Sequence, residues 1–142
     1  MNGNTELLNF IYQNSEMGVT TIKQLLDIST NQEFNQLLRS QLNEYTEINK
    51  QARALLNQNG CDEKGLSKLE KMRTYMTISL QTLTDKSPSH IAEMMIIGSN
   101  MGILDATKNL KHYTDADKDI KSLMNRLLKF EENNVQQLKE FL

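Results

Sequence analysis

Residues 87–113 read SPSHIAEMMIIGSNMGILDATKNLKHY, and no other segment of the chain is apolar around so much of a helical circumference. Ser87 followed by Pro88 is typical of an N-cap and a first helical position. From Ile91 to Leu104, large apolar side chains and glycines fall on more than one face of the helix. We therefore predict a helix from Pro88 to about His112 that lies at the centre of the fold, covered on several sides.

A ridge of small residues runs along this predicted helix, because Gly98, Gly102 and Ala106 recur every four positions. Glycine costs roughly 1 kcal/mol in a helix interior relative to alanine, so two glycines one turn apart indicate close packing against a neighbouring helix. The same spacing occurs in membrane helices, but Ser99 and Asp105 interrupt the apolar run, which is too short to span a bilayer. We expect no membrane partner.

The composition bounds the fold class. The 142 residues fit one domain, residues 1–142, and the single proline, six glycines and absence of tryptophan favour helices over sheets. An all-α protein is therefore predicted. The net charge of -2 comes from interspersed charges without a basic stripe, so nucleic acid is not an expected partner.

The single cysteine, Cys61, excludes an intrachain disulfide framework and is compatible with a reducing compartment. The first residues, MNGNTE, lack the basic and apolar regions of a secretory signal. We expect a cytoplasmic location. Cys61 follows Gly60 in a loop-like stretch, and no histidine nearby would activate its thiol.

Apolar periodicity predicts four further helices. The first follows an N-cap at Asn4, the second follows Ser29 and Thr30 in a capping box, and the last follows Thr114 and Asp117. A turn-rich linker, residues 57–65, separates the second helix from the third. The first range is about Thr5–Ile28, and the second runs from the Ser29–Thr30 cap to about Asn57. The third follows an apolar stripe from Leu66 to Leu83, and the last runs from the Thr114 cap to the C-terminus.

Two long helices, a shorter helix and two more long helices, in this order, match a four-helix bundle with a crossover. In this layout the chain resembles the ferritin-like superfamily, and it is similar in outline to spore-coat-F-type proteins. The resemblance implies that the second and fourth helices run parallel while the shorter helix returns the chain along the bundle. A five-helix up-and-down bundle is the alternative topology.

The ferritin-like resemblance also implies a test for a di-iron centre. Such a centre needs a Glu from each of two helices and Glu-x-x-His from each of the other two. The two histidines, His90 and His112, stand at opposite ends of one predicted helix, and the nearest matches to the motif are 44–47 (EYTE) and 131–134 (EENN). We therefore predict degenerate ligands, no metal and no cofactor. A weaker alternative is a metal site drawn from Glu44, Asp105, Glu131 and Asn134.

Counting 100° per residue places several polar side chains inside the bundle instead: Gln41, Asp105, Glu131 and Asn134. Glu16 and Glu47 point outward. A buried Glu131 would need hydrogen-bond donors, which Gln41, Asn134 or Tyr45 could supply, or it would stay protonated. We expect Gln41, Glu131 and Asn134 to be interior polar groups.

These patterns favour a non-enzymatic structural or protein-interaction bundle. No Ser/His/Asp set, phosphate-binding loop or paired cysteine motif supports catalysis. A homodimer is expected, through a second apolar stripe on the helix at 88–112 or the outer face of the helix at 66–83; another protein partner stays unidentified. The alternatives are a metal-binding or oxidoreductase bundle with an unusual site, and a small-ligand carrier with a pocket beside Ser15, Gly18 and Gly98.

Overall fold

A computed structural model describes residues 3–60 and 69–142. Every regular element in these two ranges is an α-helix, which confirms the all-α prediction. The helices are α1 (Gly3–Ile28), α2 (Gln32–Gln58), α3 (Glu70–Gln81), α4 (Pro88–His112) and α5 (Lys118–Lys139). Cys61 and Leu66, which carry two of the predictions above, lie outside the described residues.

Helix ends agree with the sequence prediction at one cap and differ at three. The Ser87 side chain accepts a hydrogen bond from the His90 amide, as a cap before Pro88 requires. The cap of α2 is Asn31, whose Oδ1 accepts from the Phe34 amide at 2.9 Å, so the prediction of Ser29 and Thr30 as caps was wrong.

Asn4 and Thr114 are likewise not caps, because α1 already begins at Gly3 and Asp117 is the N-cap of α5. Asn4 has a different role. Its Oδ1 accepts from the Asp117 amide at 2.7 Å, and its Nδ2 donates to the Asp117 carboxylate at 3.1 Å. These bonds hold the start of α1 beside the start of α5.

Pairs of contacting residues give the helix directions. The rings of Phe34 and Phe141 lie 5.0 Å apart, and Glu44 pairs with Arg126, so α2 and α5 are antiparallel. α1 runs parallel to α5, since Asn4 meets Asp117 near their starts and Asn14 meets Glu131 further along. α4 is antiparallel to α5, because only residues 113–117 connect these two closely packed helices, and it is therefore antiparallel to α1 as well. Consequently α2 and α4 run in the same direction.

α3 lies on the outside of the four long helices. Its Met76 side chain packs onto Gly98 of α4. The side of α3 that carries Arg73 and Leu80 lines a groove between α3 and α1. Ile78, on the opposite side of α3, is 53% exposed. α3 ends at Gln81, before the predicted Leu83, and its Met72 and Met76 belong to the same buried core as the four long helices.

The element buried on all sides is the first half of α1 and not α4. All nine residues from Leu7 to Ser15 are buried, because α2, α4 and α5 all pack against this half of α1. On α4, by contrast, Ile97 is 39% exposed and Leu104 is 56% exposed. The prediction of a central α4 was wrong: its second apolar stripe faces outward.

None of the described helices combines the length and apolar character needed to cross a lipid bilayer.

Candidate functional site

A carboxyl group lies at the centre of the bundle. Glu131 of α5 is 2% exposed, and its two oxygens accept hydrogen bonds from two other helices. Asn14 Nδ2 of α1 donates to Oε1 at 2.9 Å, and the Tyr45 hydroxyl of α2 donates to Oε2 at 3.0 Å. Both donors are neutral, so the charge of an ionised Glu131 would have no cationic partner in these bonds.

Tyr45 is held in place by what lies on either side of its ring. The ring of Phe130 packs edge-on, with the centroids 4.7 Å apart and the planes at 79°. A Cβ added to Gly18 would lie 2.7 Å from three ring atoms of Tyr45, so only glycine leaves room for the ring. The hydroxyl is thereby directed at Glu131.

α4 contributes space to this site. A Cβ added to Gly102 would meet Asn14 Nδ2 at 3.0 Å and the two Glu131 oxygens at 3.1 and 3.3 Å. Gly98 faces the Met76 sulfur instead, at 2.5 Å from the position of an added Cβ, and Ala106 is fully buried. On the ridge of small residues, the Glu131 carboxyl group and the Asn14 amide therefore pack against Gly102, and the Met76 thioether packs against Gly98.

Two further amides lie buried near this carboxyl group. Asn134, one turn after Glu131, and Gln41, one turn before Tyr45, are 1% and 2% exposed. Asn134 lies near the Tyr45 phenol, yet neither of its amide atoms has a hydrogen-bond partner within the described residues. Gln41 Nε2 has none either. The centre of the bundle thus holds more polar groups than its hydrogen bonds satisfy.

Burial changes the acidity of this cluster. Loss of solvation raises the pKa of Glu131 from 4.5 to about 7, although the hydrogen bonds from Tyr45 and Asn14 oppose the shift. The pKa of Tyr45 lies well above 10, because its ring is buried and Glu131 lies beside it. Near neutral pH, Glu131 is therefore divided between its acid and carboxylate forms while Tyr45 keeps its proton.

Two carboxylates from the weaker metal alternative lie elsewhere. Glu44 is partly exposed, and Arg126 Nε and Nη2 donate to its two oxygens at 2.9 and 2.8 Å. Asp105 is half-buried and not inside the bundle, which corrects the prediction. Partial burial raises the pKa of its carboxyl group, while Lys108 and Lys71 oppose this shift.

These positions bear on metal binding. Among residues 3–60 and 69–142, no three His, Cys, Asp or Glu side chains gather closely enough to hold a metal ion. Glu131 with Asn134 supplies one carboxylate and one amide, which is fewer than the 2-His-1-carboxylate or four-ligand sites of transition metals. His90 and His112 remain at the two ends of α4.

The main residue that sequence reasoning missed is Asn14. Its polar side chain is not among the interior groups that the 100° count predicts. A signal was present over a shorter stretch than 87–113: LLNFIY at 7–12 has apolar side chains on nearly every side of almost two helical turns, as expected for an element covered all round. In such an element, a polar residue has to face a neighbour.

Fold and site together define an all-α bundle whose centre carries one buried carboxyl group held by neutral donors. Comparison with protein-family models, with curated proteins and with solved structures finds no match to this chain. Function must therefore be argued from the residues themselves.

The contact at Gly102 gives a first prediction. In Gly102→Ala the added methyl group presses on Asn14 and Glu131, which costs about 1–3 kcal/mol. A gain of roughly 1 kcal/mol in helix propensity offsets part of this cost, so the free energy of unfolding should fall by up to about 2 kcal/mol. Urea unfolding measures it, and Asn43→Ala, at an exposed position of α2, is the control. A Gly102→Ala protein more stable than wild type would disprove the close contact.

A second prediction concerns pH. Between pH 4.5 and about 7 the folded protein retains the Glu131 proton while the unfolded chain releases it. Raising the pH through this range should therefore lower the free energy of unfolding, by about 3 kcal/mol in total. Tyr45, the ionisable group bonded to Glu131, does not titrate in this range.

Urea unfolding of wild type and Glu131→Gln between about pH 5 and pH 8 tests this dependence. In the variant, the free energy of unfolding should not fall with pH in this way, because glutamine does not titrate. The variant should therefore gain stability relative to wild type as the pH rises, and the Asn14 amide can rotate to form a hydrogen bond with the neutral glutamine. Glu132→Gln, the exposed neighbour, should keep the wild-type slope. Parallel curves for wild type and Glu131→Gln would contradict the prediction.

Proposed function

We propose that this protein is a non-enzymatic interaction bundle that works as a homodimer. Its scaffold is a ferritin-like four-helix arrangement that has lost its di-iron ligands. The protein acts in the cytoplasm, and one structural role that fits it is a spore-coat-like one. The observation that carries the proposal is the exposed apolar stripe on α4. The second copy of the chain is the partner to which we commit.

The stripe consists of Ile97, Met101 and Leu104, at spacings of four and three residues on one face of α4. Ile97 and Leu104 are the exposed members, and Met101 between them is half-buried. Large apolar side chains aligned along one exposed helix face favour contact with another protein surface.

Charges at the two ends of the stripe support pairing with a second copy. Exposed Glu93 lies one turn before Ile97, and exposed Lys108 lies one turn after Leu104. A two-fold axis between Asn100 and Met101 would place Ile97 opposite Leu104 of the second copy. The same axis would place Glu93 opposite Lys108 of the second copy. The face is therefore complementary to itself in an antiparallel pair.

The polar centre supports a non-enzymatic reading. Within residues 3–60 and 69–142, Glu131 is the only buried carboxyl group, and Arg126 already neutralises the partly exposed Glu44. Acid–base or metal chemistry in bundles relies on two or more converging groups. A single buried carboxyl group with neutral donors instead favours a structural role, in which its hydrogen bonds hold the four helices in register.

The oligomeric state tests the proposed dimer. One helix face per copy buries less than the roughly 1,600 Å² of a standard interface, so we expect dissociation constants on the order of micromolar. Sedimentation over a wide concentration range should show wild type changing from monomer to dimer. Leu104→Glu should stay monomeric, because a charge would be buried on both sides of the axis.

Two sets of variants make this test specific. Ile78→Glu, on the equally exposed outer face of α3, is the matched control and should dimerise as wild type does. Glu93→Lys should weaken the dimer by placing like charges opposite each other, and Glu93→Lys with Lys108→Glu should restore it. A wild-type monomer at the highest concentration would refute the proposal, and dissociation by Ile78→Glu alone would move the interface to α3.

Elemental analysis tests the other half of the proposal. Protein purified without chelator or affinity metal should contain no stoichiometric iron, manganese or copper. Bound metal in a fixed ratio, lost in Glu131→Gln, would instead support a metal-binding bundle.

A further inference from the structure

A small cavity lies against Glu131, beneath α3. Its volume is about 40 Å³, enough for a few non-hydrogen atoms. Four methionines line it, Met17, Met72, Met76 and Met95. Gly18 and Gly98 border it, and the Tyr45 ring and the Met76 sulfur fill the space beside these glycines. Of the methionines in the described ranges, more than half therefore surround one cavity beside the buried carboxyl group.

The cavity continues toward the surface. A groove of about 400 Å³ runs between α1 and α3, and Met17, Thr21 and Met76 form walls of both the groove and the cavity. This volume falls within the range of about 300–1,000 Å³ for small-molecule sites. Methionine side chains are flexible and unbranched, so Met17 and Met76 can move to join the two spaces.

The carboxyl group of Glu131, at the inner end of the cavity, indicates the charge of the ligand. A carboxylate accepts about four hydrogen bonds, and Glu131 receives two, from Asn14 and Tyr45. No Lys, Arg or His is among the cavity-lining residues in the described part of the chain. A buried carboxylate without a cation is unfavourable, and a cationic group in the cavity would offset that cost.

The shape of the ligand follows from the walls. The inner space accommodates an ammonium group with one or two carbon atoms, whereas a bulky quaternary ammonium would not fit. Met17, Met76 and Thr21 form a mostly apolar passage for an alkyl chain out of the cavity. The groove beyond it is lined by Leu80 and by polar side chains, among them Glu16 and Arg73. We propose that this protein binds a small aliphatic primary amine, with its ammonium group against Glu131 and its alkyl chain between α1 and α3.

Three six-carbon probes separate charge from apolar contact: n-hexylamine, 1-hexanol and hexanoate. Calorimetric titration of wild type should give saturable binding that is tightest for hexylamine and undetectable for hexanoate. Glu131→Gln keeps the shape of the side chain and removes its charge, so hexylamine binding should weaken at least about tenfold. Binding of 1-hexanol should stay unchanged.

The control variant is Glu132→Gln, one residue away and exposed, which should bind hexylamine as wild type does. Equal binding of hexylamine and 1-hexanol, or no loss in Glu131→Gln, would overturn the proposal. These outcomes do not depend on dimerisation through α4, so failure of one proposal is distinguishable from failure of the other.

A measurement on the wild-type protein adds a test that needs no variant. With 13C-labelled methionine methyl groups, hexylamine should shift the signals of Met17, Met72, Met76 and Met95. The signals of Met101 and Met124, which do not line the cavity, should stay in place. Equal shifts at all methionines would show unspecific binding and refute the site.

Discussion

The buried carboxyl group of Glu131 constrains how the four long helices pack together more than any other side chain does. Glu131 lies where α1, α2, α4 and α5 converge, and each of the other three contributes something to it: Asn14 a donor, Tyr45 a donor, and Gly102 the space. The Tyr45 ring in turn requires Gly18. Because an unpaired buried polar group is costly, the cluster favours one register of the four helices over shifted alternatives.

This constraint has a counterpart on the surface. α4 turns its small residues inward, toward the carboxyl–amide pair and the Met76 thioether, so its large residues Ile97 and Leu104 are left outside. A helix with bulky side chains on its inner face would stand further from α5 and α1. Close packing at the centre and the apolar outer stripe therefore arise from the same distribution of residue sizes along α4.

Periodicity predicted much of this arrangement. Ser87 and Pro88 marked the start of α4, and the 100° count directed Gln41, Glu131 and Asn134 inward, where they are buried. Periodicity did not predict the burial of Asn14, because this polar residue belongs to a part of α1 that is covered on all sides. It also failed for Asp105, because the count gives an angle on a helix and not the distance to the next one. Which donors meet Glu131 is decided by contacts across 117 residues for Asn14 and 86 residues for Tyr45, and no local pattern contains that information.

The nine buried residues of α1 have a consequence for how the protein is made. Asn14 and Glu131 are 117 positions apart, so α1 leaves the ribosome long before α5 exists to cover it. At the usual 5–20 residues per second, this delay is roughly 6–23 s. α2 can shield only one side of α1 meanwhile, and the remaining apolar surface is open to chaperones or to other nascent chains. Only when α5 has been synthesised can the core close around α1.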